Sequence, residues 1–283
     1  IDAAADAGAD FVKFQTFRAD KIVSKSAKKA EYQKINTKST EYSQYSMLKQ
    51  LELSNEDHER LKEYSNEKGI KFFSTAFDTD GLDYLNSLGF DMFKIPSGEI
   101  TNYPYLKKLS TFQKPVILST GMSNIEEITA ALDVLTSGVL TRADITVLHC
   151  NTEYPTPMED VNLKAMHTIA NELGVQIGYS DHTLGIEIPI AAVAMGARVI
   201  EKHFTLDRNL PGPDHRASLE PAELAAMVRA IRNIELAISG SGSKEPSKSE
   251  SKNIAVARKS IFTSRALEKG TIIKEEDLVV LRP

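Results

Sequence analysis

The chain has 283 residues, too long for one small domain and suited to an α/β barrel with an appendage. Its 34 Lys and Arg against 39 Asp and Glu give a formal charge of −5, without the basic excess of a nucleic-acid binder. Hydrophobic residues at 41% exclude a disordered chain, the single cysteine excludes an intrachain disulfide, and Ile1-Asp-Ala-Ala-Ala-Asp is neither signal peptide nor membrane anchor.

Short apolar strands alternate with longer amphipathic stretches. Residues 1–8 read as the end of a helix, so a strand is expected to precede residue 1. Phe11 to Phe17 reads as a strand, and residues 18–52 form a long polar segment with Lys21, Lys25, Lys28, Lys29, Tyr32, Tyr42 and Tyr45. Ser54 starts a helix that stops near Gly69. Strands follow at Lys71 to Phe77, Met92 to Pro96 and Pro115 to Thr120. Ser123 with Glu126 reads as a capping box before the stripe Ile125, Ile128, Leu132 and Leu135. Further strands are Ile145 to Cys150, Gln176 to Asp181 and Val199 to Thr205, and Pro221 opens another helix.

These seven strands read as buried on both faces, which with alternating helices means a parallel sheet. The fold class expected is α/β, a (β/α)8 barrel whose first strand is missing, with an open doubly wound sheet as the alternative. Residues 1–239 form the barrel, 240–253 a Ser/Gly/Lys linker, and 254–283 the start of a small β-rich domain.

The site of a barrel lies at the C-terminal ends of its strands. There Tyr179-Ser-Asp-His-Thr and Glu201-Lys-His-Phe-Thr place His182 and His203 on adjacent strand ends, with Glu201 on the face of His203. Two imidazoles beside carboxylates suit a divalent cation with open positions; two unrelated core histidines are the equal alternative. Lys13 and Lys94 interrupt apolar strands, so each needs a carboxylate, a substrate anion or a covalent carbonyl adduct as partner. Hydroxyls at Ser74, Thr75, Ser97, Ser119, Thr120 and Ser180 repeat at four strand ends and suit an anion pocket. Asp214 follows the stiff Pro211-Gly-Pro, His149 reads as a core histidine, and His58 and His167 read as solvent-facing.

The runs Val12-Lys-Phe-Gln-Thr-Phe, Phe73-Ser-Thr-Ala-Phe, Lys94-Ile-Pro-Ser-Gly-Glu, Ile117-Leu-Ser-Thr-Gly-Met, Leu148-His-Cys-Asn-Thr-Glu-Tyr-Pro-Thr-Pro, Tyr179-Ser-Asp-His-Thr-Leu-Gly, Glu201-Lys-His-Phe-Thr and Pro211-Gly-Pro-Asp come in family order. Together they resemble the sialic acid (N-acetylneuraminate) synthase family. The resemblance implies a (β/α)8 barrel followed by an antifreeze-like (SAF) domain, in a domain-swapped homodimer. It implies condensation of phosphoenolpyruvate with an open-chain N-acylmannosamine to N-acetylneuraminate or a related nonulosonate; legionaminate, from a 2,4-diacetamido-trideoxymannose, is the alternative product. It also implies that a strand with a Glu and an Asn-His motif is missing in front, and that the SAF domain is cut.

By the same resemblance His182 and His203 are ligands of Mn2+, with Mg2+ as alternative. Lys13, Thr75, Lys94, Ser97, Ser119 and Ser180 match the phosphoenolpyruvate pocket, and Gln15, Tyr154 and Asp214 match sugar contacts. Glu99 and Glu201 match acidic residues of the site, and Arg282 matches an arginine that reaches the partner's sugar site. Thr152 departs from the family, some of whose members have Asn there. The lone cysteine and mild acidity are consistent with a cytoplasmic enzyme, expected to have small-molecule partners, no nucleic acid and no membrane. Two rivals stand beside this reading: a Schiff-base aldolase using Lys13 or Lys94, and an inactive sugar-binding fragment.

Overall fold

The structure, a computed structural model, describes residues 1–29, 33, 36 and 43–283. Tyr32 and Tyr42 lie outside the described residues. The chain divides into two units, Ile1–Ile238 and Ser239–Pro283.

The first unit alternates parallel strands with helices. After helix α1 (Asp2–Asp6) come β1 (Phe11–Thr16), α2 (Ala19–Ile22), α3 (Gln44–Lys49), α4 (Asn55–Glu67), β2 (Lys71–Ala76) and α5 (Thr79–Ser87). Then follow β3 (Phe93–Ile95), α6 (Tyr103–Ser110), β4 (Val116–Ser119), α7 (Ile125–Leu135), β5 (Ile145–Cys150), α8 (Ala165–Leu173), β6 (Gln176–Asp181), α9 (Glu187–Ala194), β7 (Ile200–Lys202) and α10 (Pro221–Ile238). The strands form two parallel ladders, β1–β2 and β3-β4-β5-β6-β7.

The ladder of β3 to β7 is curled, and one contact proves it. Strands lie about 4.8 Å apart, so β3 and β7 would stand roughly 19 Å apart in a flat sheet. Yet Lys94 on β3 reaches Glu201 on β7 at 3.1 Å, and Lys13 on β1 reaches the same carboxylate at 3.1 Å. An open doubly wound sheet cannot make these contacts. Among the described residues neither β2 and β3 nor β7 and β1 share a ladder, so the wall is a curled half-barrel in two pieces.

The main core fills the space between strands and helices, with Phe93, Ile95, Leu118, Leu132, Ile145, Leu148 and Tyr179 almost wholly buried. A smaller cluster of Ala4, Ile70, Val193, Leu219, Leu224, Met227 and Ile231 seats α10. Gly178 on β6 is a packing necessity: a Cβ there would strike the Val199 carbonyl and Leu148.

Three expectations need correction. β1 and β7 are not buried on both faces; their residues are mostly half-buried or exposed, and among the described residues no ladder joins the two strands. The cap of α7 is Asn124, which accepts from Glu127 N at 2.9 Å while Glu127 bonds Asn124 N at 3.0 Å, one residue later than Ser123 and Glu126. His58 on α4 is buried, not solvent-facing: its Nε2 lies 2.7 Å from Thr16 Oγ1 and its Nδ1 2.8 Å from Ser54 O.

In the second unit, helix α11 (Lys248–Ala257) starts within the stretch expected as linker, because Ser247 and Glu250 form a capping box. Strands β8 (Ser260–Thr263) and β9 (Leu278–Leu281) then pair antiparallel. Among the described residues no helix is long and apolar enough to cross a membrane.

Candidate active site

Strand pairing sets the site. In the β6–β7 ladder Ser180 faces Glu201 and Asp181 faces Lys202. Alternation places Ser180 and Glu201 on the inner face, and returns His182 and His203 to it two residues on. Ser180 Oγ donates to Glu201 Oε1 at 2.7 Å, while the Lys13 and Lys94 ammonium groups flank the same carboxylate. Burial by itself would raise the Glu201 carboxyl, but the two lysines and the Ser180 hydroxyl hold it well below the ordinary carboxylate range. Burial pushes the Lys94 ammonium below its usual value despite Glu201.

The two histidines meet beside this centre, their ring centroids 5.4 Å apart. The Tyr154 ring lies against His182 at 4.1 Å and meets His203 edge-on at 5.5 Å. His182 Nδ1 donates to the Asn151 carbonyl at 2.5 Å, which assigns the ring lone pair to Nε2. Burial lowers the pKa of His182. Burial, with His182 and Lys13 nearby, pushes His203 down to about 3. Both imidazoles are therefore neutral near pH 7, the form that ligates metals.

Among the described residues no group of three or more His, Cys, Asp or Glu is gathered as for a metal ion. Glu201 is occupied by two ammonium groups, so the protein offers two imidazole nitrogens. That donor set fits a divalent cation that keeps its remaining positions for water or substrate oxygen.

The opposite side of the site is built from the ends of β2, β3 and β4. Thr75 Oγ1 and Ser119 Oγ are buried there without a hydrogen-bond partner among the described residues. Ser97 Oγ instead accepts from Gly121 N at 3.0 Å and contacts Cys150 Sγ at 3.4 Å. Gly121 has no room for a side chain: a Cβ would lie 2.5 Å from Thr152 and 2.9 Å from Ser97 Oγ. Ser74 is absent from the pocket's polar set, since its hydroxyl bonds Thr16 Oγ1 at 2.6 Å on the way to His58. Lys13 and Lys94 against Glu201 leave one positive charge, which suits an anion.

A cavity of about 910 Å³ is lined by Lys13, Gln15, Lys94, Glu201, His203 and Asp214 among others. Burial raises the Asp214 carboxyl above its ordinary value. Its loop is held by Ser218 Oγ donating to Asp214 O at 2.8 Å, by Thr205 Oγ1 against His215 Nδ1 at 2.7 Å, and by an Arg208–Glu223 ion pair. Glu99 is not drawn into the Glu201 centre: it accepts from Asn102 Nδ2 at 2.5 Å and its carboxyl is raised by burial. Arg282 belongs to the second unit, just after β9. Sequence reasoning missed the Asn151 carbonyl and the Asp181–Lys202 pair. Strand parity could have found the pair, because both residues directly precede a candidate ligand.

The fold is a curled parallel α/β half-barrel that carries its charged residues at the strand ends. The NeuB family model matches residues 1–244. The chain is 52% identical over its whole length to N,N'-diacetyllegionaminic acid synthase of Campylobacter jejuni, covering 84% of that protein. It is 51% identical, again over its whole length, to the enzyme of the same name from Legionella pneumophila, covering 80% of it. The crystal structure of N-acetylneuraminic acid (sialic acid) synthetase from Leptospira borgpetersenii, in complex with citrate, matches with a TM-score of 0.75 at 36% identity. That match covers 89% of this chain and 82% of the other. The chain belongs to the NeuB family of sialic acid synthases and is an enzyme of that type.

Proposed function

We propose that the enzyme condenses phosphoenolpyruvate and water with an open-chain 2,4-diacetamido-2,4,6-trideoxymannose, giving N,N'-diacetyllegionaminic acid and phosphate. Condensation with N-acetylmannosamine to N-acetylneuraminate is the second reading. One observation carries the reaction class: two lysines and two buried hydroxyls, Thr75 and Ser119, which have no partner among the described residues, share the inner face of the strands with a pair of neutral imidazoles. The choice of sugar is supported by the similarity to the two relatives named for legionaminic acid.

In this reading Lys13 and Lys94 bind the anionic ends of phosphoenolpyruvate, and Thr75 and Ser119 donate to it. Glu201, held ionised by its neighbours, faces the positive charge that develops at the enol carbon C2 as C3 attacks the aldehyde; water then adds at C2, and the tetrahedral intermediate loses its proton and expels phosphate. His182 and His203 would hold Mn2+ or Mg2+, which when bound supplies Lewis-acid polarisation of the aldehyde oxygen. Gln15, Tyr154 and Asp214 orient the sugar, and one pocket for both reactants lowers the entropic cost of the bimolecular step. Ser180 acts through Glu201 rather than on the substrate, and Ser97 shapes the Gly121 turn.

The reading extends to the assembly. The barrel closes with eight strands, residues 254–283 belong to an antifreeze-like domain, and the cytoplasmic protein is a domain-swapped homodimer in which Arg282 reaches the partner's sugar site.

Phosphate release measured with Mn2+, phosphoenolpyruvate and a panel of N-acylmannosamines tests the proposal. The largest kcat/KM is expected for the 2,4-diacetamido sugar. A larger value for N-acetylmannosamine selects the second reading. Borohydride trapping of a keto-acid on Lys13 or Lys94, with turnover insensitive to chelator, overturns both.

A further inference from the structure

We infer that the buried Asp181–Lys202 ion pair is a positioning device. It locks the register of β6 against β7 from the outer face, so that His182 and His203 converge on the inner one. The inference rests on the reading of these histidines as metal ligands.

The geometry is specific. Asp181 and Lys202 stand opposite each other in the ladder, and each directly precedes one of the histidines. Lys202 Nζ lies 2.5 Å from Asp181 Oδ2, with side chains 2% and 0% exposed. The same ammonium donates to Thr183 O at 2.5 Å. Thr183 N and Oγ1 donate to the two Asp181 carboxylate oxygens at 3.0 and 3.1 Å. His182 is thus enclosed between two residues that Lys202 ties to β7. On its far side Thr156 N donates to His182 O at 3.0 Å, completing the restraint.

Energy alone does not explain such a pair. Desolvating two charges costs about as much as their attraction returns, so a buried ion pair is weak evidence of stability. Register is different. A one-residue slip of β7 would turn His203 and Glu201 outward together, because side chains alternate with a period of 2. The slip would also bring Lys202 to the inner face and leave Asp181 buried without its charge partner. The pair therefore penalises the one error that would destroy the histidine arrangement. None of the steps derived above uses either residue.

Mn2+ alone, titrated into the full chain and followed by electron paramagnetic resonance, tests the inference. Circular dichroism identifies the folded variants. Lys202→Met is expected to bind Mn2+ about 10- to 100-fold more weakly, the size of effect seen when groups that orient metal ligands are removed. Its phosphoenolpyruvate affinity, set by Lys13, Thr75, Lys94 and Ser119 on β1 to β4, is expected to fall by a smaller factor than the Mn2+ affinity. If Lys202→Met does not fold, the hydrogen-bonding but uncharged double variant Asp181→Asn with Lys202→Gln carries the same expectation. Wild-type Mn2+ affinity in either folded variant overturns the inference, and so does an equal loss of both affinities, which marks general loosening. A wild-type protein that binds no Mn2+ overturns the metal reading instead.

Discussion

Two sides of one site are built on opposite plans. At the β6–β7 seam the charged groups are paired within the protein and His182 is held at one nitrogen: Ser180 on Glu201, two lysines on the same carboxylate, Asn151 on His182, Asp181 on Lys202. At the ends of β2 and β4, Thr75 and Ser119 keep buried hydroxyls that have no partner among the described residues. A satisfied network is rigid and sets direction. An unsatisfied buried donor costs free energy until something binds it. The seam is suited to hold a geometry, and the hydroxyl side is suited to receive a ligand.

That contrast can be broken by substitution. Glu201→Gln removes the single counter-charge of two ammonium groups, so it is expected to cost about 3–5 kcal/mol of stability, read by urea denaturation. An unchanged midpoint would mean that the seam is not held as described. Next in size, His203→Ala is expected to lower kcat/KM by about 10²- to 10³-fold and to abolish Mn2+ binding, since the cation loses one of two protein ligands. Full turnover in His203→Ala would remove the metal from the reading.

Thr75→Val and Ser119→Ala sharpen the comparison from the other side. Each is expected to raise the phosphoenolpyruvate KM about tenfold, worth ~1.4 kcal/mol, while leaving the unliganded melting temperature unchanged or higher. Ser180→Ala should instead lower that temperature, because its hydroxyl is already bonded to Glu201. A lower melting temperature in Ser119→Ala would show its hydroxyl to be structural.

A pH dependence of similar size tests the histidine side of the comparison. His203 titrates at about 3 in the folded chain and near 6.5 in the unfolded one. The unfolded state therefore binds more protons between these values, and stability present above pH 6.5 is lost as pH falls. Between pH 6.5 and 5 the metal-free protein is expected to lose roughly 2 kcal/mol, a few degrees of melting temperature. His203→Gln should flatten that slope, and an equal slope in both proteins would assign it elsewhere.

Much of the site was legible because strand parity is a local rule. Placing Glu201 with His203, and His182 on the neighbouring strand end, needed only the period of 2. Lys13 and Lys94 were legible as needing partners, because a lone ammonium cannot stay in an apolar strand. The shared partner, Glu201, was not legible, since that contact exists only because the sheet curls. His58 was misjudged for a similar reason. Its helix is polar by composition, but Thr16, Phe72 and Tyr84 from other elements surround the ring. Glu99 matched a motif, yet the helical turn at Ser97–Glu99 leaves it bonded to Asn102.

By itself the sequence determined the alternation of strands and helices, the parallel class of the sheet and the residues that carry charge into it. These follow from periodicity and from the cost of burying polar groups, which act along the chain. Only the tertiary structure decided which strand ends meet, which hydroxyls stay unpaired and which nitrogen of His182 is left open. Those depend on curl, register and single carbonyls brought from distant segments, and no local pattern encodes them.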